Sequence, residues 1–141
     1  MVLPDVNVLI YAFRADTSQH AACKPWLDSI ILGDAQFGIS SLVLSAVVRI
    51  TTNPRIFHQP STIEEAFGFC ETLLSYPHCE QVMPGERHWE IFAQLAQTTH
   101  TRGPKISDAW FAALAIEKGC TWITCDRDYA RFPGLVWHGP G

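Results

Sequence analysis

Apolar positions recur along the chain with two different spacings. Short runs of β-forming residues near 2–4, 37–39, 80–83, 121–124 and 135–137 predict strands. Between them lie longer stretches whose apolar residues return every three or four positions. Val6 to Phe13 has enough β-propensity to prolong the first strand, but Asp5 makes a good N-cap and predicts a helix instead. Thr17 or Ser18 opens a second helix that runs through Ile30 to a stop at Gly33-Asp34, with Pro25 tolerable only near its first turn or at a kink. Ser40-Ser41 begins a third, closed before Asn53-Pro54 because the residue preceding proline avoids helical angles.

Thr62 with Glu65 forms a capping box for a helix over Ile63 to Leu74, and Glu86 to Thr99 continues with a further amphipathic period. The last helix starts at Ser107 and Asp108, runs through the alanine-rich Ala109 to Ile116 and stops at Lys118-Gly119. Strands alternating with helices predict a three-layer α/β/α domain with a mainly parallel central sheet. Without repeats or linkers, residues 1–141 are expected to form one domain.

That architecture gives three carboxylates a common address. In an open parallel sheet the ligand crevice lies outside the carboxyl ends of the strands. Asp5 follows the first strand, Asp126 follows the fourth, and Asp108 stands at a helix start. Each alone is a plausible helix cap. Brought to one edge, the three would repel one another unless a cation neutralised them, and hard oxygen donors without nearby His or Cys suit Mg²⁺ or Mn²⁺.

Composition narrows the setting. An apolar share of 48% over 141 residues is enough for one sizeable core. The net charge of −4 advertises no nucleic acid, so any basic surface must be local. Five cysteines without C-x-x-C spacing read as reduced core residues, and the six histidines show no metal pattern. No basic leader and no apolar run of roughly 20 residues occurs, so a soluble cytoplasmic protein is expected, with no membrane partner.

Asp5-Val6-Asn7 after the first strand, ISDAWFAALA in the last helix and Thr124-Cys125-Asp126 occur in the order of the PIN-domain ribonucleases. The chain resembles the VapC toxins of type II toxin–antitoxin pairs over nearly its whole length. The resemblance implies a PIN-like fold and a Mg²⁺- or Mn²⁺-dependent endoribonuclease that hydrolyses RNA to 5′-phosphate products. It implies Asp5, Asp108 and Asp126 as metal ligands. Asn7 and Thr124 would orient the site, and Asp128 is either a further catalytic acid or an acid favoured by a helix dipole. Arg102, Lys105, Arg127 and Arg131 flank these acids and would hold substrate phosphates.

The implied partners are tRNA or rRNA, a VapB-like antitoxin that presents an Arg to the acidic pocket, and a second copy in a homodimer. One departure stands out: relatives carry a glutamate in the third helix, whereas no acid occurs between Asp34 and Glu64. That leaves a smaller site, supplemented by Ser40, Ser45 or Asp128, and keeps open a catalytically weakened RNA-binding module. A phosphoacceptor receiver domain of similar layering is set aside, because Asp5 has no acidic neighbour and no Asp trails Phe37 to Ile39.

Overall fold

Five short strands make one sheet whose pairings are all parallel, so every connection between neighbours must cross over a face of the sheet. The structure is a computed structural model that describes residues 1–141. In chain order the elements are β1 (Val2–Pro4), α1 (Val6–Phe13), α2 (His20–Leu32), β2 (Phe37–Ile39), α3 (Ser41–Thr51), α4 (Ile63–Ser75), β3 (Cys79–Gln81), α5 (His88–Thr98), α6 (Ile106–Lys118), β4 (Thr121–Ile123) and β5 (Trp137–His138). Short 3₁₀ turns cover Gly103–Lys105 and Arg127–Arg131.

The sheet order is β3-β2-β1-β4-β5. From β1 the chain steps outward through β2 to β3, then returns past its starting point to β4. Right-handed crossovers therefore put α1 to α4 on one face and α5 and α6 on the other. Packing agrees: α1 lies against α2 and α3, α3 against α4, and α5 against α6. The direction of travel reverses between β1 and β4, and such a switch point opens a crevice at the carboxyl ends of its strands.

Leu3, Phe37, Ile39, Trp122 and Ile123 are buried on the strands, with Val8, Leu9, Val43 and Val47 against one face and Ala109 and Phe111 to Ala115 on the tightly packed α6. Trp122 stacks on Phe111 at 5.4 Å and fixes α6 over β4. At Gly38 a Cβ would lie 2.6 Å from Val82 Cγ2, so only glycine lets β2 run this close to the segment after β3. Gly119, at φ 65°, ends α6 in the left-handed region, as the Lys118-Gly119 stop predicts.

The capping box at Thr62 and Glu65 forms in full. Other boundaries move. Pro25 is the sixth residue of α2 rather than a first-turn residue, and the buried Cys23 and Leu27 on either side of it anchor the helix despite the lost amide. Pairing limits β3 to Cys79–Gln81 and β5 to Trp137–His138. The last helix starts at Ile106, one residue before Ser107, so Asp108 lies in its first turn and does not cap it. All five cysteines are unbridged. No helix is long and apolar enough to cross a membrane.

Candidate active site

Asp5 is placed by the end of β1. Its backbone N–H donates to Ile123 O at 2.8 Å, which continues the β1–β4 pairing by one bond, and its extended φ and ψ turn the chain into α1. Oδ1 accepts from the Val6 N–H at 2.6 Å and caps the helix. Oδ2 accepts from the Thr124 hydroxyl at 2.7 Å. The same hydroxyl accepts from the Asp126 N–H at 3.0 Å, so one side chain at the end of β4 ties the Asp5 carboxylate to the Asp126 backbone. Asn7 Oδ1 accepts from the Cys125 N–H at 3.4 Å, one residue before Asp126. Both residues expected to orient the site thus hold the loop that carries Asp126. That carboxylate accepts the Asp128 N–H at 2.9 Å and caps the following 3₁₀ turn.

Asp108 reaches the same place from the other face. Tyr129 O–H donates to its Oδ1 at 3.3 Å, and Arg131 Nη2 lies 3.4 Å from its Oδ2. A cavity of ≈ 430 Å³ opens between Asp5, Asn7, Ser107, Asp108, Asp126 and Tyr129 on one side and Leu42, Ser45, Ala46 and Arg49 of α3 on the other. It lies at the switch point that the topology creates.

Electrostatics record how the acids affect one another. Burial raises the Asp5 pKa from 3.8 to about 6; the charges of Asp108 and Asp126 add to the rise, and the Thr124 and Val6 hydrogen bonds only partly oppose it. Tyr129 is pushed well above the usual phenol range by burial first and then by Asp5, Asp108 and Asp126. Asp5 is only 6% exposed and belongs to none of the ion pairs. An ionised carboxylate this deep, with neutral donors and two like charges around it, lacks a positive partner.

The donor set around the cavity is oxygen only, which fits a hard divalent cation. No three acidic, His or Cys side chains close tightly enough to hold an ion by themselves. That spacing is compatible with Mg²⁺, which keeps several waters and takes one or two carboxylates plus substrate phosphates.

The remaining sequence candidates divide. Asp128 does not line the cavity: it is exposed and paired with Lys105 at 2.8 Å, which holds its pKa below the usual carboxylate range. The geometry sets it apart from the three acids that line the cavity, because the 3₁₀ turn after Asp126 rotates the next acid outward toward Lys105. Lys105 and Arg131 are engaged by Asp128 and Asp108, while Arg102 and Arg127 are exposed and off the cavity wall. Ser40 is buried at the start of α3 and does not line the cavity, whereas Ser45 does. Sequence reasoning missed Tyr129 and Arg49 as parts of the site. The signal for Arg49 was present, since Leu42, Ser45, Ala46 and Arg49 follow the i, i+3, i+4, i+7 spacing of one helical face.

Comparison with known proteins agrees with this fold. The PIN domain model matches residues 2–135. Ribonuclease VapC43 of Mycobacterium tuberculosis (strain ATCC 25618 / H37Rv) is 40% identical over 140 residues, 99% of this chain and 95% of that protein. Among solved structures, VapBC2 from Rickettsia felis bound to a DNA fragment from its promoter aligns with a TM-score of 0.69 at 17% identity. That alignment covers 99% of this chain and 98% of the other. Mycobacterium tuberculosis VapC20, described as a sarcin–ricin loop cleaving toxin, aligns with a TM-score of 0.64 at 15% identity, covering 96% and 98%. A sheet switch point lined by three aspartates, in a chain this similar to a VapC ribonuclease along its whole length, places the protein in the PIN-domain family, among the VapC ribonucleases.

Proposed function

We propose that Asp5, Asp108 and Asp126 form the catalytic centre of an endoribonuclease toxin and hold one divalent cation, Mg²⁺ or Mn²⁺, for hydrolysis of RNA phosphodiester bonds. The observation that carries the reading is the deeply buried Asp5, which faces the same cavity as two other carboxylates and has no cation of its own. When bound, the metal supplies Lewis acidity and an activated water. The chain supplies the rest. Asp5 is held in one orientation by Val6 and Thr124, Asp126 is anchored through Thr124 and Asn7, and Asp108 is fixed by Tyr129 and Arg131. Positioning of this kind removes reorganisation from the chemical step.

Residues 1–141 act as a single PIN-like domain in this reading, and the setting is the bacterial cytoplasm. The substrate is a structured RNA of the tRNA or rRNA class, approached through Arg102 and Arg127, which are exposed beyond the cavity wall. Lys105 and Arg131, the other two phosphate candidates, are paired with Asp128 and Asp108. Regulation is by a VapB-like antitoxin, as in the VapBC assemblies whose folds align with this one. Antitoxin and a homodimer both need apolar surface. Leu42, Ile56, Ile63 and Phe67 are exposed on and beside α3 and α4, and Trp89 is 72% exposed on α5.

Cleavage of cellular RNA in Mg²⁺ or Mn²⁺, its loss on adding EDTA, and its loss in Asp5→Asn test the reading together. A second reading, RNA binding with weakened catalysis, is favoured by the α3 wall, which contributes no acid to the cavity. RNA retention without cleavage by the wild-type chain would select it.

A further inference from the structure

α3 turns one face to the cavity, with Leu42, Ser45, Ala46 and Arg49 on it and no acid among them. Arg49 is the sole Lys or Arg that lines the cavity. It belongs to none of the four ion pairs, which engage Arg14, Lys24, Lys105 and Arg131. It makes no side-chain hydrogen bond either, whereas Arg131, on the far side, is already divided between Asp108 and the Asp128 carbonyl. A side chain that is free, cationic and part of the wall facing three aspartates has one chemical counterpart in a ribonuclease: the anion that enters the cavity.

We propose that Arg49 binds the non-bridging oxygens of the reacting RNA phosphate, and that it carries on α3 the positive charge which an acid there would have recruited as a second metal ion. The inference rests on the ribonuclease reading. Attack of water on a phosphodiester carries the phosphoryl oxygens from one negative charge toward two. A guanidinium with two parallel N–H donors matches that pair of oxygens better than a point charge does. Because the charge grows as the reaction proceeds, Arg49 contributes more to the chemical step than to ground-state binding. Its place in the last turn of α3 is also the end of a helix at which a cation is favoured, an interaction that leaves its N–H donors open to a phosphate.

The test compares wild type, Arg49→Gln and Arg49→Lys in single-turnover cleavage of an RNA oligonucleotide spanning a cut site mapped in total cellular RNA, at saturating protein in Mn²⁺. Arg49→Gln is expected to cut about 100-fold more slowly, and Arg49→Lys to recover part of that loss. Binding is measured separately in Asp5→Asn/Asp126→Asn protein, where cleavage is off and acidic repulsion is reduced. There, adding Arg49→Gln should flatten the dependence of log affinity on log salt by ~0.7, the value for one phosphate contact to a single strand. An unchanged salt slope overturns the phosphate contact. An Arg49→Gln protein that cuts at the wild-type rate when saturated overturns the assignment to the reacting phosphate. If wild type cuts no RNA in Mn²⁺, the ribonuclease reading itself falls and the inference falls with it; if wild type cuts and Arg49→Gln keeps pace, only the inference is lost. Near-equal melting temperatures for the three proteins exclude misfolding as the cause.

Discussion

The acids of the cavity floor and those of its outer edge differ in what the chain gives them. Asp128, at the edge, is exposed and receives a lysine at 2.8 Å. Asp108 is intermediate, with an arginine at 3.4 Å and a tyrosine hydroxyl at 3.3 Å. Asp5, on the floor, is buried and receives only a backbone N–H and a threonine hydroxyl. The ordering runs against simple stability, since the deepest charge costs most to leave without a counter-ion. The difference separates acids that the chain supplies with a cationic partner from an acid that it leaves without one.

Asp5→Asn breaks this comparison hardest. Cleavage is expected to fall by at least about 1000-fold, on the order of 4 kcal/mol of transition-state stabilisation. Stability should move the other way. The folded-state pKa of Asp5 is raised from 3.8 to about 6, so the folded protein binds that proton more tightly than the unfolded chain does. The resulting stabilisation is complete below pH 3.8, is lost as pH rises to 6, and leaves ionised Asp5 a burden of up to about 3 kcal/mol above that. In EDTA at pH 7 Asp5→Asn should therefore melt above wild type, with the gap closing near pH 4. Mg²⁺ should raise the wild-type melting temperature and leave the variant nearly unmoved. A variant that melts below wild type in EDTA at pH 7 would show that Asp5 is a stabilising cap and not a site for an external cation.

Thr124→Val comes next. It keeps the shape of a buried β-branched side chain and deletes the hydroxyl that links Asp5 to the Asp126 amide. Removing a group that orients a ligand typically costs 10- to 100-fold in activity or metal affinity, and the orphaned amide about 1–3 kcal/mol of stability. Thr124→Ser should restore most of both. The measurements are single-turnover cleavage and urea denaturation.

Much of this was legible in the sequence because the signals are local. Short β-forming runs and period-3.6 stretches carry the order of elements, and caps and breakers close to Asp5, Asp108 and Asp126 in the chain put those acids at element ends. The misplacements concern contacts between distant segments. Asp128 and Lys105 are 23 residues apart, and no local pattern says that one neutralises the other. Arg131 turns back to Asp108 for the same reason. Arg49 was legible in principle, because its spacing from Ser45 puts both on one helical face toward the cavity.

Ser45→Glu sharpens the comparison by giving the α3 wall an acid. Ser45 faces the cavity and is exposed, whereas the adjacent Leu44 is buried in the core, so position 45 can accept a carboxylate without placing it in apolar surroundings. Glu at 45 would also stand four residues before Arg49, the spacing of a helical ion pair that draws off part of its charge. The expectation is about threefold tighter Mn²⁺ binding in Ser45→Glu, followed by the metal-dependent shift in melting temperature. A larger gain should appear in Ser45→Glu/Arg49→Gln, where the competing cation is gone. Equal affinities in the two proteins would mean that residues 45 and 49 do not share the wall.

The smallest effect belongs to Asp128→Asn, and its smallness is informative. Asp128 is acidic, two residues from Asp126, and in a sequence looks as able to serve the reaction as its neighbour does. In the structure its carboxylate is exposed and held below the usual range by the Lys105 ammonium, while its links to the site run through its backbone, an N–H donated to Asp126 Oδ1 and a carbonyl that accepts from Arg131 Nη1. Asparagine keeps that N–H and the 3₁₀ turn, and loses only an ion pair screened by solvent and salt. Single-turnover cleavage in Mn²⁺ should therefore stay within about twofold of wild type, and Lys105→Gln should behave alike because both variants remove the same contact. A tenfold loss in Asp128→Asn alone would give Asp128 a role in the reaction that this geometry does not provide. A matching loss in Lys105→Gln would instead mean that the pair positions the turn bearing Asp126, and would move the boundary between floor and edge outward by one residue pair.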